Sequence, residues 1–461
     1  MKIIATIVTI ALVYGIFRLE RDKQARVSWA LWIPVIWFGI ICSRPVSFWI
    51  HPNQGTDYLE RFTESSPVDA GVYGLLIAAG LLVLNRRAAR VRSFLLSNLP
   101  ILLFFVYCGL SLAWADDPMV ALKRWVKAVG DFVMVLLILT DLDPEAAIRR
   151  LYARVGFVLL PFSVLFILYY PALGTTYDVT EHVTMYTGVA TFKNLLGVLC
   201  MTCGLGALWS FLRAWQSRDL PSRRGQLLAQ GVTVLLAVGL VIRADSITSL
   251  SSFALAGTVL VAASLGWFRL RPPAILGVCV AVISAAGFAL LLSSGAGILQ
   301  ELGRNPTLTG RTLIWKAVLA QPINPWIGAG FESFWMGDRM QSVWSMSQVG
   351  IQQAHDGYLE LYLNLGRIGL LLLGVLIVSG YRNGVALYRR DAHAGALRLT
   401  FLTAAVVFAF TEAGFRMLSP DWFGFLLAAT AMPAALAPDA QTHAPLMVLG
   451  SRPRTEARIL Q

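Results

Sequence analysis

The chain of 461 residues is 57% hydrophobic and only 14% charged, with a mean hydropathy of +0.65 and a formal net charge of +12. Soluble globular chains carry about 25% charged residues and disordered ones are poor in apolar residues, so a soluble multidomain enzyme and a disordered chain are both excluded. A dozen spans of about 20 residues would take roughly 240 positions, which leaves room for loops and tails around one polytopic membrane domain but not for a large extra soluble domain.

Thirteen apolar segments run along the chain, near 2–17, 28–43, 69–84, 98–114, 125–140, 155–172, 190–212, 226–242, 249–268, 274–294, 356–380, 397–413 and 420–436. The first lacks a small-residue cleavage site and precedes its basic run, so it reads as a retained span rather than a signal peptide. With the N-terminus outward, the inner loops hold 24 of the 38 Lys and Arg residues, as the positive-inside rule requires. The same spread over seven short loops argues against nucleic acid as a partner. The five cysteines, Cys42, Cys108, Cys200, Cys203 and Cys279, all lie in apolar stretches. The Cys200-x-x-Cys203 pair has no His or second Cys pair beside it and reads as small-residue packing. The expected fold is an all-α, polytopic integral membrane helix bundle of about 12–13 transmembrane helices. It forms a single domain over 1–436, with a large outward loop at 295–355 and an inward C-terminal tail at 437–461.

The long loop is neither low-complexity nor rich in Ser and Gly. Thr309 could cap a short helix with Leu313, Ile314, Val318 and Leu319 as its apolar stripe. The following PINPWIGAGFESFW is punctuated by Pro and Gly, and Trp326, Phe331, Phe334 and Trp335 suit a membrane–water interface. A folded cap lying on the membrane is expected, since loops of this length are often functional lids. No internal repeat is evident, which weighs against an inverted-repeat transporter.

Of the five histidines (51, 182, 355, 393 and 443), the topology turns the first three outward. His355 ends the long loop and opens the eleventh segment, where a helix dipole favours a neutral imidazole beside an anionic ligand. That is what a general base needs; a histidine merely capping a span is the competing reading. Lys193, Arg243, Arg304 and Arg311 are outward cations. Each alone could be a snorkelling anchor, while together they could form a phosphate clamp, Arg for forked contacts and Lys as a point charge. Glu360, Asn364 and Arg367 share one helical face below His355 if the helix is continuous. Such charges normally face a bundle interior or a wet cavity. Glu412 and Arg416 are spaced as an i,i+4 pair, with a structural ion pair the alternative to a role in the site. Asp131 and Asp245 are further acids with no clear partner.

No P-loop, G-x-G-x-x-G after a strand, H-E-x-x-H or D-x-D is present, so nothing signals a nucleotide, a nicotinamide or a bound metal. No cofactor is expected. An enzyme of this kind must draw its energy from the substrate, and on the outer face of a bacterial-type membrane a lipid-linked pyrophosphate carries its own leaving group.

Five stretches, in this order, carry a family resemblance: SRPVSFW (43–49), TFKNLLG (191–197), TGRTLIWKAV (309–318), PWIGAGFESFW (325–335) and AHDGYLELYLNLGRIGL (354–370). With them the chain resembles the O-antigen ligase and Wzy-type polysaccharide polymerase superfamily, and within it the exopolysaccharide-polymerase (ExoQ-like) branch. The resemblance covers most of the chain. It implies a metal-independent, inverting glycosyltransferase in the bacterial inner membrane, its active site facing the periplasm. The implied partners are an undecaprenyl-pyrophosphate-linked oligosaccharide, the growing polysaccharide and membrane lipid, with a chain-length regulator a candidate. His355 matches the family histidine thought to deprotonate the acceptor hydroxyl, and Arg311 the loop arginine that engages the donor pyrophosphate. The chain departs from the pattern at Ile247, near a position that is usually basic and for which Arg243 is a candidate substitute, and at Asp356, where asparagine is usual. Lys193, Arg243, Arg304, Asp356, Tyr358, Glu360 and Arg367 are the expected substrate-binding residues, with His355 and Arg311 catalytic. Repeat-unit polymerisation is favoured over transfer to a lipid A core on branch resemblance. A lipid-linked sugar flippase or exporter and a scaffold subunit of a secretion assembly are the alternatives of other classes.

Overall fold

The computed structural model describes residues 1–20, 26–50, 66–178, 183–218, 222–295, 308–347 and 350–433. Arg304, His51, His182, His443 and the 437–461 tail lie outside the described residues. The helices are α1 (Lys2–Leu19), α2 (Trp32–Ile41), α3 (Val46–Ile50), α4 (Pro67–Arg86), α5 (Ala88–Ser97), α6 (Leu99–Leu110), α7 (Pro118–Leu139), α8 (Pro144–Tyr169), α9 (Pro171–Gly174), α10 (Lys193–Gln216), α11 (Arg223–Arg243) and α12 (Ile247–Ser264). They continue as α13 (Gly266–Leu270), α14 (Pro272–Gly295), α15 (Leu308–Leu319), α16 (Gly337–Met346), α17 (Gly357–Arg390), α18 (Ala392–Phe408) and α19 (Pro420–Ala429). A two-stranded antiparallel hairpin, β1 (Thr175–Asp178) and β2 (Val183–Tyr186), pairs Thr175 with Tyr186; apolar periodicity gives no sign of it.

Every anticipated apolar segment coincides with a helix. Seven (α1, α4, α8, α10, α11, α12 and α17) are long and apolar enough to cross a membrane, and α5 with α6, bent by 87°, pass together as an eighth. The protein is a polytopic helical membrane protein with seven to eight such spans among the described residues, fewer than the 12–13 expected. The difference has a physical cause. The helices at Trp29–Ile41 and Ala392–Phe408 are apolar but shorter than 18 residues, α19 has only 10 residues, and α7 carries Lys123, Arg124, Lys127 and Asp131. Helix starts follow local chemistry: Asp117 and Asp143 each stand before a Pro at the first helical position and accept amide hydrogen bonds, the favoured N-cap arrangement.

The main core runs from Leu31 to Ala429. A second, smaller core gathers Ile314, Val318, Phe334, Trp335, Val343, Ala354 and Leu363, so the cap has an interior of its own. Its short helix α15 already includes Thr309, and its buried stripe is Ile314, Ala317 and Val318. Leu313 and Leu319 are exposed, one helical position off the expected stripe.

α17 is broken at Gly366, whose φ of 65° and ψ of −161° no helix contains. That φ favours glycine, and a Cβ there would meet the Trp326 carbonyl carbon at 2.3 Å. The break exposes main-chain groups, and segment 325–335 fills them. Ala329 and Gly330 donate to Leu363 O (3.0 Å) and Asn364 O (2.8 Å), and Arg367 and Ile368 donate to Pro325 O (3.0 Å) and Trp326 O (3.1 Å). Tyr107 Oη donates to Leu365 O at 3.0 Å. Irregular backbone at membrane depth is tolerated only where protein satisfies it. Phe331, Phe334 and Trp335 are accordingly buried rather than interfacial; only Trp326 is exposed.

Candidate functional site

Three loops meet where α10, α12 and α17 begin and α18 ends. Trp315 on α15 donates to Ala354 O at 2.8 Å, seating the cap against the residue before His355. Arg311, one turn earlier on α15, thereby comes over the same point. Gly357 N donates to Ala409 O at 2.8 Å. A Cβ at Gly357 would stand 2.9 Å from Gly414 N, so this glycine lets the loop at 355–357 touch the loop at 409–416. His355 itself has a φ of 52°, uncommon for a residue with a Cβ and costing of order 1–3 kcal/mol where it persists.

These contacts converge on Glu412. His355 Nδ1 lies 3.4 Å from Glu412 Oε2, Arg311 Nη2 lies 3.5 Å from Oε1, and Asn194 Nδ2 donates to Oε1 at 3.0 Å. The Glu412 side chain is 8% exposed, whereas His355 and Arg311 keep 26% and 23%. A buried carboxylate thus holds a half-buried imidazole and guanidinium side by side. Thr411 Oγ1 donates to Thr248 Oγ1 at 2.9 Å, fixing the loop to the start of α12.

Glu412 does not pair with Arg416, because α18 ends at Phe408 and the i,i+4 rule holds only on a helix. Arg416 instead meets Glu332 at 2.8 Å, and Arg124 donates to Glu332 O. Burial alone would raise the Glu332 carboxyl, but Arg416 and Arg124 outweigh it and hold it below its ordinary value. Asp131 is not isolated either: it accepts from Trp37 Nε1 at 2.8 Å and Leu418 N at 2.9 Å.

The remaining expected residues separate. Lys193 is half-buried at the first position of α10, beside Asn194. Asp356 caps α17, accepting from Tyr358 N and Leu359 N at 2.9 Å. Burial pushes its carboxyl above the ordinary range, although those two amides and Arg311 draw it back. Tyr358 Oη donates to Val406 O at 3.0 Å, a tie between α17 and α18. Glu360 is buried, accepting from Trp335 Nε1 at 2.9 Å and from Ala354 N, so it braces the strained loop from beneath. Arg243 is exposed and stacks on Tyr186, 3.9 Å from the ring centroid, with Nη2 donating to its Oη at 2.7 Å. Arg367 lies beyond the Gly366 break. It is exposed over Trp326 and off the face of Glu360 and Asn364, so the three do not line one wet stripe.

Asn194 and Arg44 are the residues sequence reasoning passed over. Arg44 donates to Ala190 O (3.0 Å), Gly188 O (3.2 Å) and Leu173 O, holding the chain that leads into α10. Both sit inside quoted motifs, SRPVSFW and TFKNLLG, which was the available signal.

The architecture defines a multi-pass helical membrane protein with a laced-in cap and a His–Glu–Arg cluster at one end of the bundle. Residues 231–374 match the family model Wzy_C, O-Antigen ligase, and that stretch contains Arg243, Arg311, His355, Asp356 and Gly366. Over 333 residues the chain is 25% identical to the exopolysaccharide production protein ExoQ of Rhizobium meliloti (strain 1021), covering 70% of this chain and 72% of that protein. The chain is thus similar to the O-antigen ligase family over that stretch and to ExoQ over most of its length.

Proposed function

We propose that the protein is a glycosyltransferase that polymerises undecaprenyl-pyrophosphate-linked oligosaccharide repeats into exopolysaccharide, at the periplasmic face of the bacterial inner membrane. The convergence of His355 and Arg311 on Glu412 carries this reading. A carboxylate at Nδ1 favours the tautomer with its proton there, which leaves Nε2 as the base. Nε2 takes the proton of an acceptor sugar hydroxyl as its oxygen bonds to the donor's anomeric carbon. The bond from that carbon to the pyrophosphate oxygen breaks, and undecaprenyl pyrophosphate leaves with the electron pair. The new linkage is inverted. Negative charge grows on the leaving group, and a preorganised cation beside it is usually the largest catalytic contribution. Arg311 has five donors, of which one Nη faces Glu412, and Lys193 adds a point charge.

The ExoQ relative is an exopolysaccharide production protein, which favours an exopolysaccharide as the product. The O-antigen ligase family model favours the second reading, transfer of the glycan to a lipid A core or other acceptor by the same chemistry. Proteoliposomes given a lipid-linked repeat should yield a ladder of longer glycans and free undecaprenyl pyrophosphate. Transfer only onto added lipid A core would support the ligase, and movement of unaltered substrate across the bilayer would make the protein a flippase.

Arg311→Lys keeps the charge but loses the fork. It is expected to lower kcat/KM by about 10-fold or more, a share of the 10²–10³ typical of one lost transition-state donor; unchanged turnover would remove Arg311 from the clamp. Chelator treatment is expected to leave the rate unaltered, and inhibition reversed by a divalent ion would refute a metal-independent reaction.

A further inference from the structure

A cavity of about 760 Å³ lies between the α5–α6 bend and the lower part of α17, and neither His355 nor Arg311 lines it. Asn98 fixes the 87° bend, donating to Phe94 O (2.8 Å) and Ala431 O (3.1 Å) and accepting from Ala431 N (2.6 Å). Ser97 and Ile101 line one side. The other is a stripe at i, i+3, i+4, i+7 and i+11 on α17: Leu371, Gly374, Val375, Val378 and, at its end, Arg382. Leu371, Val375 and Val378 are exposed, and a Cβ at Gly374 would meet nothing within 4 Å, so the trough is open along its length.

From Leu371 to Arg382 the stripe rises about 16 Å at 1.5 Å per residue, the thickness of one leaflet of a roughly 30 Å hydrocarbon core. Its polar end carries a cation and no acid among its lining residues. Running away from that end at nearly a right angle, α5 has the pattern of a helix lying in the interface. Arg87 and Arg90 of this region bond Asp141 and the Thr140 and Asp141 carbonyls, whereas Arg86 and Arg92 are exposed. Apolar length matched to an acyl chain, capped by positive charge, selects an anionic lipid.

We infer that this trough is a binding site for one anionic phospholipid, an acyl chain lying along Leu371–Val378 and its phosphate on Arg382. The inference is independent of the proposed reaction.

Full-length protein in nanodiscs of equimolar phosphatidylglycerol and phosphatidylcholine, released for native mass spectrometry, reads this directly. Phosphatidylglycerol should be retained about fivefold over phosphatidylcholine, the worth of one basic residue near a charged membrane surface. Arg382→Gln should bring the two lipids to parity. Gly374→Leu should reduce retention of both while leaving the melting temperature unchanged, since its side chain enters empty space. Equal retention of the two lipids by the wild type, preference undiminished in Arg382→Gln, or displacement of phosphatidylglycerol by a polyprenyl phosphate would each overturn the assignment. Loss of glycan transfer with lipid selectivity intact would count against the proposed reaction alone.

Discussion

His355→Ala should abolish most glycan transfer, slowing it by about 10²–10⁴-fold, the usual contribution of a positioned general base, while donor binding survives. Survival is expected because the cap is held elsewhere: Trp315 bonds the Ala354 carbonyl, Glu360 accepts from the Ala354 amide, and Asp356 caps α17. None of these needs the imidazole. A positive φ also penalises alanine, so His355→Gly is the matched control. It relaxes the backbone and still lacks a base, and it should be equally slow. Glu412→Gln separates base from brace: it keeps a hydrogen-bonding side chain but removes the charge facing Nδ1, and should lower kcat while donor affinity is retained. Polymer ladders from proteoliposomes, read beside donor affinity, are the measurement. Normal polymerisation in His355→Ala would end the role given to that residue.

Glu332→Ala carries the largest expected cost in stability. Its carboxylate meets Arg416 at 2.8 Å with side chains 8% and 18% exposed, and removing one partner of a buried pair typically costs about 3–5 kcal/mol. Residual exposure puts the expectation near the lower end, about 3 kcal/mol, visible as a lower melting temperature in detergent. Glu332 also has a φ of 51°, so Glu332→Gly should recover about 1 kcal/mol of that loss by relieving strain. The sign of the pH dependence follows from the depressed carboxyl. Its stabilising contribution is complete above the unfolded value of 4.5 and disappears as pH falls through the lower folded value. Wild type should therefore lose stability on acidification in that window more steeply than Glu332→Gln. Equal slopes would mean that the pair does not hold the cap.

Apolar runs were enough to place thirteen helices, because a lipid-facing segment writes its burial into composition over 15 or more residues. What they could not convey was continuity. Gly366 interrupts α17 through one dihedral and a 2.3 Å approach of another chain segment, and neither leaves a periodic signal. The faces computed across it were therefore wrong beyond residue 366: Glu360 and Asn364 do point inward, and Arg367 does not. The i,i+4 spacing of Glu412 and Arg416 misleads for a related reason, since α18 has already ended at Phe408; of the two readings of Glu412 open in the sequence, the structure brings it to His355 and Arg311. His355 and Arg311 were legible because they sit at helix starts in unusual local contexts. Their meeting point was not, since it depends on residues from α10 and the 409–416 loop, 161 positions before His355 and 57 after it.

That separation along the chain has a bearing on biogenesis. A nascent polypeptide emerging from the ribosome would already possess the imidazole and the guanidinium well before the acidic side chain that orients both has been synthesised. On the proposed reading, competence arrives only once the loop between α18 and α19 has been made, so a chain stopped before it would lack the assembled cluster.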